Sequence, residues 1–113
     1  MANTFKNAFS ENVGTSATAV LTCPSGNSSR CVLIGMQLTN TTSSEITATI
    51  TLTDSSASND IVMVNSVALP ANTMLTVLEG EKVILEESDV LKVHSNTANA
   101  CNAFASYLLS DST

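Results

Sequence analysis

The segment from Ile46 to Thr53 alternates strictly between apolar residues and threonine. Ile46, Ala48, Ile50 and Leu52 share one face of an extended chain, and four threonines occupy the other face. A period of two indicates a β-strand with one buried face. Threonine is β-branched and suits the solvent side of a pleated sheet better than a helix. The segment therefore predicts a sheet that packs one face against a core.

Short apolar runs separated by turn residues recur along the chain, and no run of helical periodicity competes with them. The tight turn Glu79-Gly80-Glu81 predicts a hairpin between the runs on either side of it. Regularly spaced strands with such turns predict an antiparallel β-sandwich or a closed barrel. We expect about seven or eight strands, over residues 18–23, 31–39, 46–53, 61–69, 73–78, 82–85, 90–94 and 103–109.

The first segment differs from the rest in being polar. A chain of 113 residues has the length of one domain, and we divide it into a flexible N-terminal arm over residues 1–16 and a single β-sandwich domain over residues 17–113. Phe5 and Phe9 are isolated aromatics in the arm. Their spacing fits one helical turn, an arm that docks on a neighbour, or a frayed terminus whose phenylalanines contact their own subunit.

The same alternation predicts which side chains form the core. Each large side chain that is fully buried contributes about 1.5 to 3 kcal/mol of transfer free energy, so a domain of this size needs no disulfide or metal to fold. The predicted inward positions are Val20, Val32, Ile34, Met36, Leu38, Ile46, Ile50, Leu52, Met63, Val67, Leu75, Val77, Val83, Leu85, Leu91, Val93, Phe104 and Leu108.

Composition argues against several partners. Four Lys and Arg stand against ten Asp and Glu, for a net charge of -6, so a polyanion would be repelled and we expect no nucleic-acid binding. No stretch approaches the roughly 20 apolar residues of a membrane helix, and the first twenty residues hold no apolar run typical of a signal peptide. We therefore expect no membrane partner and a protein that stays in the cytoplasm in which it is made.

No residue set predicts catalysis, a cofactor or a metal. His94 is the only histidine, and an isolated histidine on the outward side of a strand lacks partners for acid-base or metal chemistry. Cys23, Cys31 and Cys101 show no metal-binding spacing. A disulfide between the first two is conceivable, but without an export signal we expect reduced, buried thiols. An acidic cluster lacks the closely spaced Asp and Asn residues of a calcium-binding loop, and we interpret its carboxylates as solvated charges in turns. The cluster comprises Glu79, Glu81, Glu86, Glu87 and Asp89.

One family pattern runs through the second half of the chain. Leu69-Pro70-Ala71 forms an apolar-Pro-Ala turn, and a strand, a short hairpin and a further strand follow over residues 73–93. The opening residues 1–8, the step at 13–15 and the strand end at 21–24 match as well. The chain resembles the small all-β virion proteins of tailed bacteriophages over most of its length. It departs from them at Glu87-Ser88, where a small residue and a glycine are more usual.

The resemblance implies a head decoration or cement protein that binds the outside of an assembled capsid. It implies the major capsid protein and further copies of the chain, as a homotrimer, as partners, and the virion as location. We expect the contacts at Phe5 and Phe9 and in the polar loop that contains Asp54, Asn59 and Asp60. A neck, tail or baseplate component is the nearest alternative. A ligand- or glycan-binding sandwich is more distant, because the chain has no tryptophan and a single tyrosine.

Overall fold

The computed structural model describes residues 2–26, 29–54, 59–76 and 83–111; of Ala2, Asn3 and Asp111 it describes the backbone only. Within these ranges the chain is all β, without a helix. The strands are β1 (Ala2–Val13), β2 (Thr18–Thr22), β3 (Arg30–Asn40), β4 (Ile46–Asp54), β5 (Asn59–Leu69), β6 (Met74–Thr76), β7 (Val83–Leu85), β8 (Val90–Ser95) and β9 (Cys101–Asp111).

The strands form two antiparallel sheets. Sheet A has the order β1-β9-β3-β6, with β7 also paired to β3, and sheet B has the order β2-β8-β4-β5. The buried apolar side chains of both sheets form one cluster between them. This confirms the predicted β-sandwich, and no closed barrel forms among the described strands.

Along β4, β8 and the first part of β9 about every second side chain is buried in the core, whereas β5 fully buries only Leu69. Ile46, Ala48 and Ile50 of β4 are buried as the alternation predicts, and Leu52 is half-buried near the strand end. Thr49 is buried on the opposite face, where its hydroxyl oxygen accepts a hydrogen bond from the Ser66 backbone N–H at 3.0 Å. Of the other predicted core residues, Val20, Met36, Leu38, Leu85, Leu91 and Val93 are buried, Met63, Val67, Leu75 and Val83 are half-buried, and Val77 lies outside the described residues.

Residues 2–13 form the edge strand of sheet A, which differs from the arm expected over residues 1–16. β1 pairs with β9 without interruption from Ala2 to Ser10, and a bulge follows before Val13. Ala8 packs against the core and Val13 is fully buried. The polar composition concealed this strand because an edge strand with one weakly buried face needs few large apolar residues.

The predicted hairpin around Gly80 is wrong in its pairing. β6 and β7 do not pair with each other. Both lie along the same edge of β3, β6 beside Gln37–Thr39 and β7 beside Cys31–Leu33. The residues of the predicted turn itself lie outside the described ranges. β6 and β7 thus lie one after the other beside β3 instead of beside each other, because the long β3 offers one edge along which both short strands can pair.

A bulge in β3 changes which of its side chains face the core. The register between β3 and β9 shifts between Leu33 and Gly35. A bulge inserts one residue and reverses the alternation beyond it, so Cys31 and Leu33 point inward before it and Met36 and Leu38 after it. The prediction that Val32 and Ile34 face the core is therefore wrong, since Ile34 is exposed and Val32 only half-buried.

The partner strand β9 keeps a regular alternation, but the face that it buries is not the predicted one. Cys101, Ala103 and Ala105 are its buried residues, so Phe104 lies on the opposite face and is exposed, and Leu108 is half-buried on that face. The prediction placed these two inside because they are the larger side chains. Alanine fills the core side here, and the larger apolar residues project from the outer face of sheet A.

Candidate interaction surface

The outer face of sheet A carries most of the exposed apolar surface that the structure describes. Among the described residues, eight large apolar side chains are exposed. Two of them, Ile61 and Val62, belong to β5 of sheet B. The other six project from sheet A on the side away from the core, and they are Phe5, Phe9, Ile34, Met74, Ile84 and Phe104.

All three phenylalanines of the chain are on this face. Phe5 is 77% exposed, Phe9 62% and Phe104 43%. Aromatic side chains, phenylalanine among them, are enriched in the cores of protein interfaces. Their placement away from the core means that the fold does not use them for its own burial.

Strand register aligns these side chains in rows across the sheet. In one row Phe5 lies opposite Leu108, Leu108 opposite Val32, and Val32 opposite Ile84. Each row crosses strands spaced about 4.8 Å apart. The apolar residues therefore form a continuous band across four strands rather than isolated contacts.

A second row lies four residues further along the strands. Phe9 is opposite Phe104, and Phe104 is opposite Gln37. Between the two rows stand Asn7 and Ser106, which face each other and carry no charge. A shallow groove lies in this area, lined by Phe5, Lys6, Asn7, Ile34, Phe104, Ser106 and Tyr107.

Charged groups stand at the ends of this face. Arg30 lies at one end, opposite Ser110, and its guanidinium is 3.7 Å from the Glu86 carboxylate and 4.0 Å from that of Glu87. These side chains are exposed, and ion pairs in water contribute little to stability. An apolar centre with charges at the periphery is the arrangement found in protein interfaces.

The residues predicted as contacts fall on two separate surfaces. Phe5 and Phe9 belong to the outer face of sheet A. Asp54, Asn59 and Asp60 lie at the hairpin end of sheet B, where Asp54 pairs with Asn59 and the Thr53 hydroxyl donates to the Asp60 carboxylate at 2.8 Å. The structure thus does not bring the five residues together.

Sequence reasoning missed the rest of the outer face of sheet A. Ile34 was assigned to the core because a simple alternation has no means of locating a bulge, and Phe104 and Leu108 were assigned to it because they are larger than the alanines that fill the core side of β9. Gly35, in the middle of an apolar strand, was the available signal, since an isolated glycine in a strand often marks a bulge.

The cysteines are buried thiols without the character of nucleophiles. Cys23, Cys31 and Cys101 are free and fully buried. Burial, together with a hydrogen bond with the Cys23 side chain, raises the pKa of the Cys31 thiol to about 12. Burial also raises the pKa of Cys101. Because the thiolate is the reactive form, Cys31 and Cys101 are inert at neutral pH.

Other candidate groups have local structural contacts. His94 is half-buried on the outer face of sheet B, opposite Thr49. Within the acidic cluster, the buried Asp89 carboxylate accepts a hydrogen bond from the Glu86 backbone N–H at 3.0 Å, and the Glu87 carboxylate accepts one from Gly26 N–H at 3.1 Å. No group of metal-ligating side chains gathers among the described residues.

No described helix could cross a membrane. No protein-family model matches the chain, and no curated protein matches it.

Several solved structures are similar in fold. A subunit of Bacillus endospore appendages, a family of disulfide-linked pili, matches with a TM-score of 0.59 and 7% identity over 98% of this chain and 89% of that one. A protein of infectious bursal disease virus, Gx strain, matches with a TM-score of 0.57 and 9% identity over 99% of this chain but only 34% of that one. At such identities the likeness shows the fold alone.

A pentameric capsid protein from metagenomic phage sequences is a third neighbour. It shares 18% identity over 95% of this chain and 64% of its own length, with a TM-score of 0.39, which is too low to carry an argument. The structural neighbours of this β-sandwich thus include a pilus subunit, a viral protein and a phage capsid protein.

Proposed function

We propose that this chain is a structural protein of a bacteriophage virion, a decoration or cement protein that binds the outside of the capsid and stabilises the head. The outer face of sheet A carries the proposal. It presents all three phenylalanines to solvent in an uncharged apolar band. A contiguous exposed apolar patch marks a protein interaction site.

Burial of this face would supply the binding free energy. A phenylalanine contributes roughly 200 Å² of surface, so Phe5, Phe9 and Phe104 together expose several hundred Å² at their observed exposures. At about 25 cal/mol per Å² of apolar surface this is a substantial driving force. The protein acts through surface contact, and no catalytic step is part of the proposal.

The partners in this proposal are the major capsid protein and further copies of the chain. Phe5 and Phe9 on sheet A would form one contact, and Asp54, Asn59 and Asp60 at the hairpin end of sheet B the other. Two contacts on different sheets would let one molecule bridge neighbouring capsid subunits. The oligomer on the capsid is proposed to be a homotrimer, assembled on particles in the host cytoplasm.

The experiment is a count of this chain per virus particle. Particles purified from a culture that expresses the gene are analysed by quantitative mass spectrometry against the major capsid protein. A decoration protein is expected at on the order of hundreds of copies, in a simple ratio to the capsid protein. Absence from purified particles would contradict the proposal.

A neck, tail or baseplate component is the alternative that the same count separates. A ring of closed symmetry would hold about a dozen copies or fewer.

A filament subunit is a second candidate, favoured by the fold match to the Bacillus pilus subunit over nearly all of both chains. Electron microscopy of the purified protein tests it, because a filament subunit is expected to polymerise without particles.

A further inference from the structure

The edge of sheet A is formed by a long strand without a partner on its outer side. β1 stands at the end of the strand order, and no described strand pairs with its other edge. It is 12 residues long and contains no proline. Its charged residues are Lys6 and Glu11, and Lys6 is the one that lies in the regular part of the strand before the bulge. Natural edge strands are kept short or protected by proline, charge or bulges, since an exposed edge is a template for another strand.

The sequence of β1 is nearly symmetric about Asn7, with similar residues at equal distances on either side of it. Phe5 and Phe9 lie two positions on either side of it, and the hydroxyl residues Thr4 and Ser10 lie three positions away. All of these positions belong to the regular part of the strand before the bulge. An antiparallel strand pair related by a two-fold axis brings such symmetric positions directly opposite each other.

We propose that two copies of this chain pair antiparallel through their β1 strands, with Asn7 of one copy opposite Asn7 of the other. Phe5 then lies opposite the second copy's Phe9, and Thr4 opposite its Ser10. Directly opposed residues share a face of the sheet, which is consistent here because Phe5 and Phe9 both project from the outer face of sheet A. The contact contains two cross-strand aromatic pairs.

Other registers lose this match. A two-fold axis at Ala8 places Phe5 opposite Glu11, and a shift by a single residue sets outward positions against inward ones. In the register about Asn7, Lys6 lies opposite Ala8 and no like charges stand directly opposite each other. The free backbone N–H and C=O groups of β1 in each copy then form hydrogen bonds with the other copy. The A sheets of the two copies join into one continuous sheet.

This contact is independent of the capsid. A two-fold contact does not close a trimer, so in the proposed assembly it would join copies of adjacent trimers. It is tested on the purified protein without particles, so its failure leaves the particle count unaffected.

Cysteine cross-linking tests the register. Asn7→Cys is prepared with Glu11→Cys as matched control, since both residues are exposed on the same strand. The native cysteines are fully buried and do not compete. Two opposed thiols form a disulfide as oxidised glutathione takes their two electrons and two protons and becomes two molecules of glutathione. The product is read as a covalent dimer on a non-reducing denaturing gel.

We expect a covalent dimer for Asn7→Cys and none for Glu11→Cys. In a second arm, Phe5→Cys and Phe9→Cys are expected to cross-link when mixed but not when each is oxidised alone. No dimer from Asn7→Cys, or equal cross-linking of Asn7→Cys and Glu11→Cys, would overturn the proposal.

Discussion

Phe9 and Phe104 lie directly opposite each other on the adjacent strands β1 and β9, and both project from the outer face of sheet A. They are far apart in sequence, so only the sheet brings them together. An aromatic pair on the side of a sheet away from the core adds little to folding and much to a contact with another protein. This pair is the centre of the interaction surface that we assign.

Replacing Phe5 and Phe9 together by serine is expected to abolish attachment to capsids while the protein stays folded. Both side chains are mostly exposed, so their loss leaves no cavity. Affinity should fall at least about tenfold, as for interface aromatics. Cosedimentation with particles measures attachment, and circular dichroism measures folding. Ala68→Ser, an exposed position on sheet B at the end of β5 away from the hairpin, is the control. Equal binding by the double variant would refute the role of Phe5 and Phe9.

Leu33 and Ile34 are neighbours in sequence with opposite environments, which gives a test of the β3 bulge. Leu33 is fully buried and Ile34 is 44% exposed. Leu33→Ala is expected to lower the free energy of unfolding by about 2 to 5 kcal/mol, whereas Ile34→Ala should cost less than about 1 kcal/mol. Urea denaturation of both variants measures the difference. A larger loss for Ile34→Ala would mean that the alternation continues through Gly35.

Strand positions could be predicted from the sequence largely because alternation is local. Ile46–Asp54 and Cys101–Asp111 form strands where apolar runs occur. The face of each strand was less predictable. Ile34 shows that one inserted residue reverses it, and Phe104 shows that the larger side chains of a strand can lie on its outer face while alanines fill the core. β1 was missed for a different reason: it lies at a sheet edge, and its pairing with β9 depends on residues almost a hundred positions away.

Asn40 at the end of β3 is expected to be essential for stability. Its side chain is buried, and its amide group donates to the carbonyl oxygens of Ser44, Leu69 and Pro70 at 2.8 to 3.1 Å. The side-chain carbonyl oxygen of Asn40 accepts a hydrogen bond from the Thr42 backbone N–H at 2.9 Å.

Asn40→Ala removes these hydrogen bonds, of which the one to the Leu69 carbonyl oxygen is buried, and an unsatisfied buried group costs about 1 to 3 kcal/mol. Thermal denaturation measures the loss against Gln37→Ala, an exposed change on the same strand that should cost within about 0.5 kcal/mol. Equal melting temperatures for the two variants would show that the hydrogen bonds of the Asn40 side chain do not stabilise the fold.

Alkaline pH is expected to destabilise the fold through Cys31. Its pKa is about 12 in the folded protein against an ordinary value of 9.0, so between these values the folded state retains a proton that the unfolded state releases. Stability is therefore complete below about pH 9 and falls as the pH rises toward 12. Unfolding free energies of wild type and Cys31→Ala across this range measure the effect; the variant should lose less stability. Parallel curves would contradict this assignment.

The contact residues could be predicted only in part. Phe5 and Phe9 stood out as aromatics in a polar segment, whereas Ile34 and Phe104 could not be told from core residues, because apolar character alone does not distinguish a face that packs inside from one that packs on a partner. The polar loop residues Asp54, Asn59 and Asp60 remain a predicted second contact at the hairpin end of sheet B.

The most direct test of the central claim is hydroxyl-radical footprinting of this protein, free and bound to virus particles, read by mass spectrometry. The account predicts that Phe5, Phe9 and Phe104 are strongly oxidised in the free protein and protected on the particle, while His94 on the outer face of sheet B keeps its reactivity. Equal oxidation of the three phenylalanines in both states would contradict the assignment of the outer face of sheet A as the contact surface.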